Sequence, residues 1–231
     1  MKKYLCIVLI SGICGSFFTD VLAQGTLWKE FTLEALKLVQ QGKYPEAAEV
    51  AERALRVAEE TFGPEHLKVS VSLNNLATLY RMQGKYAEAE ELYQRALEIK
   101  ERELGPDHPK VATSLNNLAG LYKSQGKYAE AEPLYQRALR IRERALSPDH
   151  PDLAESLNNL GLLYKIQRRY AEAEPLYKRA LTIWEKSYGP DDLNVATVLE
   201  NMVELYMETD REEEARKLEA RSRTIRSHLK R

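Results

Sequence analysis

The feature that most limits what this chain can fold into is a repeat. Gly63-Pro64, Gly105-Pro106, Ser147-Pro148 and Gly189-Pro190 stand 42 residues apart, and the same step carries "SLNNLA" from Ser72 to Ser114 and, with Gly161 in place of alanine, to Ser156. It also carries "GKYAEAE" from Gly84 to Gly126 and, as "RRYAEAE", to Arg168. Weaker copies flank these units: "GKYPEAAEVAERAL" from Gly42 one step upstream and "VATVLENMVELY" from Val195 one step downstream. A period of this length means that each unit is a supersecondary element that covers its apolar face only by stacking on its neighbours.

Within a unit, Val111, Leu115, Leu118, Ala119 and Tyr122 recur at helical spacing as one apolar stripe, and Tyr128, Ala131, Tyr135, Ala138, Leu139 and Ala145 form a second. Between them "SQGK" supplies a turn glycine. After the second stripe "LGPDHP" supplies a stop and a restart, with Asp107 or His108 able to cap the next helix and Pro109 in its first turn. Each unit is therefore predicted to be a helical hairpin with the longer helix second. Pro133 and Pro175 fall beyond the first turn of that helix, where a slight bend is expected.

These residues resemble a known family. The small residue of the first helix (Ala77, Ala119, Gly161), the aromatic after it (Tyr80, Tyr122, Tyr164), the turn glycine (Gly84, Gly126) and the "YAEAE" alanine (Ala89, Ala131, Ala173) match the tetratricopeptide repeat in register. So do the later tyrosines Tyr93, Tyr135 and Tyr177 and the alanines Ala96, Ala138 and Ala180, while the spacing and the "LGPDHPKVATSLNNLA" linker look most like the kinesin light chain subtype, common in bacteria. The resemblance spans about residues 26 to 227. It implies an all-α, right-handed superhelical solenoid of about five repeats and ten helices, at approximately 26–62, 68–104, 110–146, 152–188 and 194–227. It implies protein or peptide binding rather than catalysis, and no cofactor. Repeat one has Thr32 and Leu33 where the others have asparagines, and repeat five has Glu200-Asn201 and Asp210 for glycine; both read as caps.

Little in the chain points to chemistry. His66, His108 and His150 recur at the repeat period, so each lies one repeat from the next and they cannot share a metal; helix capping is their expected role. No serine stands in a nucleophile elbow, and there is no phosphate loop or dinucleotide glycine pattern. The basic C-terminal run around Arg216 to Arg231 reads as a helix end favoured by the macrodipole, the alternative being contact with an acidic membrane or partner.

The paired asparagines ask for another explanation, because asparagine is a mediocre helix former. Helical placement puts Thr113, Asn116, Asn117, Gly120, Lys123 and Ser124 on the face opposite the Leu115/Tyr122 stripe. In the family that the chain resembles, first helices line the concave surface, and the second asparagine of "LNN" matches a groove residue that grips a ligand's backbone. Carried over, this gives Asn75, Asn117, Asn159 and Asn201, with Asn74, Asn116 and Asn158 beside them and Arg81, Lys123 and Lys165 two turns along. The other reading is that the amides satisfy neighbouring helix ends or water.

The N-terminus opens with Lys2 and Lys3, an apolar run from Tyr4 to Phe18, and small residues at Val21 and Ala23: a secretory signal peptide over residues 1–23, with cleavage expected after Ala23. The run is too short and too glycine-rich for a comfortable span, though an anchor through residues 4–18 is the alternative, and neither Cys6 nor Cys14 follows a small residue as a lipoprotein signal would require. Cleavage removes both cysteines and lowers the basic count from 34 to 32 and the acidic from 35 to 34, a net charge of −2 that does not suggest nucleic acid. The mature repeat domain, residues 24–231, is then expected in the periplasm or outside the cell. The expected function is a non-enzymatic adaptor that binds an extended peptide or protein segment. Its rivals are a self-assembling scaffold, in which the chain is a homo-oligomer, and an accessory subunit of an enzyme on another chain.

Overall fold

The structure is a computed structural model in which residues 24–229 are described; the expected signal peptide over residues 1–23 and the cleavage expected after Ala23 lie outside them. The chain is helical over residues 24–40 (α1), and then forms α2 (Tyr44–Phe62), α3 (Leu67–Met82), α4 (Tyr86–Leu104), α5 (Pro109–Ser124), α6 (Tyr128–Ala145), α7 (Pro151–Ile166), α8 (Tyr170–Tyr188), α9 (Leu193–Met207) and α10 (Glu212–Leu229). No strand occurs among the described residues.

The helices begin and turn as the sequence chemistry dictates. At α3, α5 and α7 the histidine is the N-cap: Nδ1 of His66, His108 and His150 accepts from the backbone N–H of Lys68, Lys110 and Asp152, each at 3.1 Å. Asp192 does the same for α9, accepting from Asn194 N at 2.8 Å. Inside the hairpins the chain reverses through a left-handed residue. Gly42, Gly84 and Gly126 hold it at φ of 74°, 76° and 74°, but Arg168 and Asp210 take the same place at 60° and 58°, a conformation that costs an L residue about 1–2 kcal/mol. Helices α6 and α8 run on through Pro133 and Pro175.

The chain divides into two compact units, one ending at Glu103 and one beginning at Leu104. In the first, α2 packs on α3, and Ala35, Ala47, Ala51, Leu76 and Leu79 share one buried cluster while Ala58, Val69, Leu73, Ala96 and Ile99 share another. Trp28 closes the first repeat, its Nε1 donating to Ser72 Oγ at 2.8 Å. In the second unit the hairpins α5/α6, α7/α8 and α9/α10 stack through α6 on α7 and α8 on α9, around one continuous core. The family-matching alanines Ala131, Ala173, Ala138 and Ala180 are fully buried, which lets the helix backbones close on Tyr135 and Tyr177.

Polar contacts between repeats fix the stacking. In the second unit Tyr164 Oη and Arg169 Nη1 both reach Glu132, at 3.2 and 2.7 Å, and the Arg169 guanidinium lies 4.0 Å from the centre of the Tyr164 ring. One step later Tyr206 Oη and Arg211 Nη1 reach Glu174 at 3.0 and 2.8 Å, with the same stacking of Arg211 on Tyr206 at 4.0 Å. Burial first, and then Glu174, raises the Tyr206 phenol's pKa, while the hydrogen bond from Arg211, and then those from Lys178 and Tyr206, hold the Glu174 carboxyl down at about 2. Deeper in this unit, Arg142 is 1% exposed and donates to Asp152 O, Glu155 and Ser156 Oγ. In the first unit Tyr80 Oη donates to Glu52 at 2.7 Å, and burial together with that contact pushes the phenol up to about 12.

Candidate functional site

The first helix of each hairpin presents four open positions per repeat: the second asparagine, the residue four before it, and those three and seven after it. In the first unit this stripe on α3 is Val71, Asn75, Thr78 and Met82, with Val71 and Met82 41% and 44% exposed. The equivalent α1 residues include Leu33 and Leu36, 58% and 53% exposed, so the helix of the repeat read as a cap carries two open leucines. Between α1 and α3 lies a cavity of about 310 Å³ lined by Thr32, Leu33, Ala35, Leu36, Val39, Asn75, Thr78, Leu79 and Met82. No charged side chain lines it.

In the second unit the stripe is Thr113, Asn117, Gly120 and Ser124 on α5, Glu155, Asn159, Leu162 and Ile166 on α7, and Thr197, Asn201, Glu204 and Glu208 on α9. A groove of about 490 Å³ between α7 and α9 is lined by Lys165, Ile166, Arg168, Tyr170, Val203, Glu204, Met207 and Glu208. Tyr170 Oη donates to Glu208 at 3.2 Å, and desolvation followed by that carboxylate raises the phenol's pKa.

The two asparagines of each pair part company. The first of each pair is inward: Asn74, Asn116 and Asn158 are 7%, 5% and 9% exposed. Asn74 Nδ2 donates to Ser70 O at 2.8 Å, Asn116 Nδ2 to Ser156 Oγ at 3.0 Å, and Asn158 Oδ1 accepts from Asn201 Nδ2 at 3.0 Å. Helical placement put Asn116 on the face away from its own hairpin. It is buried because a first helix is covered on a second side by the first helix of the next repeat, and α5 does pack on α7.

The second asparagines face outward to different degrees: Asn75 is exposed and Asn117, Asn159 and Asn201 are half-buried. Asn75 and Asn159 make no hydrogen bond among the described residues, whereas Asn117 is engaged within the fold and Asn201 is held by Asn158. The basic positions are also engaged. Lys165, its side chain 10% exposed, pairs with Glu204, and Arg81 and Lys123 have partners of their own. Leu33 was read from sequence only as part of a cap, and the apolar residues Leu36, Val71, Met82, Leu162 and Ile166 were not singled out; projecting the 42-residue register from Asn117 would have found them.

Among the described residues no group of three or more His, Cys, Asp or Glu side chains could hold a metal ion, and no helix is long and apolar enough to cross a membrane.

Comparison with known proteins places this geometry. A family model for the tetratricopeptide repeat matches four overlapping stretches, 35–102, 80–144, 111–181 and 152–227. No curated protein sequence matches the chain. Among solved structures it is similar to BtubC (BKLC) from P. vanneervenii, 26% identical with a TM-score of 0.76 over 92% of this chain and 85% of that one. It is similar also to a Podosopora anserina protein described as a kinesin light chain with nearly identical TPR-like repeats, 25% identical with a TM-score of 0.69 over 88% and 96% of the two chains. PilF of Pseudomonas aeruginosa, 20% identical with a TM-score of 0.63 over 88% of this chain and 78% of that one, shares the fold alone. The chain belongs to the tetratricopeptide repeat family, whose repeats generally serve as protein–protein interaction modules, and its structural neighbours include those of the kinesin light chain type.

Proposed function

We propose that this protein is a non-enzymatic adaptor that binds an extended segment of a partner protein on the open face of its first helices. One observation carries the reading: the side-chain amides of Asn75 and Asn159 stand on that face without an internal hydrogen bond. An amide both donates and accepts, so it can satisfy a ligand's backbone whatever the ligand's side chains are. The partner is a protein or peptide; nucleic acid is disfavoured by the net charge of −2 that remains once residues 1–23 are removed (32 basic against 34 acidic residues), and homo-oligomerisation is the rival use of the same surfaces. Export by the leader 1–23 belongs to this reading, which places the adaptor in the periplasm or outside the cell.

Site-specific photo-cross-linking tests it. A photoreactive residue at Thr78 or Leu162 on the open face should capture a partner in cells, and one at exposed Glu98 on the second helix of its hairpin should not. Capture from Glu98 alone, or capture only of a second copy of this chain, would overturn the reading.

A further inference from the structure

Three helices start on a cap that acid can remove. Nδ1 of His66, His108 and His150 accepts the backbone N–H of Lys68, Lys110 and Asp152, each at 3.1 Å. A ring nitrogen accepts only while the imidazole is neutral with its proton on Nε2; once both nitrogens carry protons, a donor faces a donor and the cap is gone. The charge that arrives also stands at the positive end of a helix, where a cation is unfavourable. Both effects have the same sign. The caps are complete at neutral pH and are lost as pH falls through the range in which imidazoles take up a proton. Helix α9 provides the contrast, since its cap is the carboxylate of Asp192, accepting from Asn194 N at 2.8 Å, and carboxylates take up protons only in more acid solution.

The surroundings of the three histidines differ. His66 lies against Phe62, with ring centres 5.2 Å apart and planes at 30°, and Lys68 Nζ is 3.7 Å from the centre of the same Phe62 ring, so an ammonium already uses the ring that a protonated His66 would share. Glu65 beside it is taken by Arg102 of α4, and Arg95 of α4 donates to Pro64 O at 3.2 Å. His108 stands between Asp107 and Lys110, and Arg137 of α6 donates to Pro106 O at 3.2 Å. His150 has an anion where the other two have lysine: Asp152 Oδ1 is 3.9 Å from its Nδ1, while Asp149 is paired with Lys186 of α8 and Arg142 of α6 holds the Asp152 carbonyl. A proton on His150 therefore gains a carboxylate partner in the first turn of its own helix, and a proton on His66 or His108 meets a second positive charge there.

We propose that His66 and His108, each in its own unit, are acid-sensitive catches: uptake of a proton releases the first turns of α3 and α5, while α7 and α9 keep theirs. The released turns carry Val69 and Ser70 in α3 and Val111 and Ala112 in α5, all fully buried, and Val71 of the open face follows directly on the first of them. The order of the start of α3, and of the open face that continues from it, is thus tied to the acidity of the medium, whatever binds there.

Two measurements on the full chain test this. In NMR spectra recorded from about pH 7.5 down to about pH 5, the backbone amide resonances of Lys68 and Lys110 should move in step with the titrating imidazoles, while those of Asp152 and Asn194 move less than about half as far. In thermal melts over the same range the parent should lose roughly 4–8 °C, the sum of two caps. The double variant His66→Asp/His108→Asp, which gives α3 and α5 the kind of cap that α9 already has, should lose less than half of that. Amides of Lys68 and Lys110 that stay in place while the imidazoles titrate would overturn the inference on the unsubstituted protein, however the variant folds. So would an Asp152 amide that moves as far as those two, or a parent and double variant that lose the same number of degrees.

Discussion

Replacing Glu174 by glutamine should loosen the last two repeats of the second unit, and the loss should depend on pH in a defined direction. The Glu174 carboxylate, 20% exposed, receives Arg211 Nη1 at 2.8 Å, Tyr206 Oη at 3.0 Å and Lys178 Nζ at 2.7 Å. These contacts, Arg211's hydrogen bond first, lower its pKa from 4.5 to about 2. A depression of that size corresponds to about 3 kcal/mol of stability, an upper bound because the group still meets water. Glutamine keeps an acceptor for Arg211 and Tyr206 but loses the charge, so about 1–2 kcal/mol should be lost at neutral pH. For a chain of this size that is roughly 2–8 °C in melting temperature. Because the folded-state pKa lies below the unfolded one, the contribution is complete above about pH 4.5 and disappears as pH falls towards about 2. Thermal melts followed by circular dichroism, run from neutral pH downward, should show parent and variant converging at the acid end. A gap as wide near pH 2 as at pH 7 would mean that Glu174 contributes by packing rather than by charge.

Other outcomes follow from single positions. Arg168→Gly and Asp210→Gly place glycine in the left-handed turns that three other repeats already give to glycine, and each should raise stability by about 1 kcal/mol in chemical denaturation; a loss would mean that the native side chain makes a contact worth more than the strain. Arg142→Ala should cost about 2–3 kcal/mol, because a fully buried side chain is removed and Asp152 O and Ser156 Oγ lose their donor, while Glu155 remains half in water; Arg142→Lys should recover part of the loss, since Lys100 occupies the same register in the first unit and is buried there. A loss for Arg142→Ala below about 1 kcal/mol by denaturant titration would refute this. The mature protein should begin at Gln24; N-terminal sequencing of protein from the cell envelope that finds Met1 would refute cleavage.

Much of the fold could be read from residues near one another in sequence. Helix starts, turns and apolar stripes depend on contacts within a few residues, and these repeat wherever the 42-residue motif repeats. Hence the histidine caps, the left-handed turn positions and the hairpin limits follow from spacing, and Asp107 lost to His108 as cap only because the imidazole Nδ1 is the atom that meets Lys110 N. The candidate site was legible only in outline. Spacing found the asparagine pair but put both members on the open face, because a helical wheel accounts for one packed face and a first helix in a stacked array has more than one.

The sequence by itself determined that this chain would be a series of helical hairpins, since each 42-residue unit carries two apolar helical stripes joined by a turn and covers them by stacking on its neighbours. The tertiary structure decided what each identical "SLNN" does. Asn74 turns to its own helix at Ser70, Asn116 to Ser156, and Asn158 to Asn201, so the same four letters are partnered by residues from 4 to 43 positions away. A hydrogen bond is settled by whichever donor or acceptor the neighbouring repeat brings within about 3 Å. At the second asparagine the facing residue is asparagine both times, Asn116 for Asn159 and Asn158 for Asn201, but Asn116 Nδ2 turns to Ser156 Oγ, a hydroxyl that the next repeat replaces with Val198.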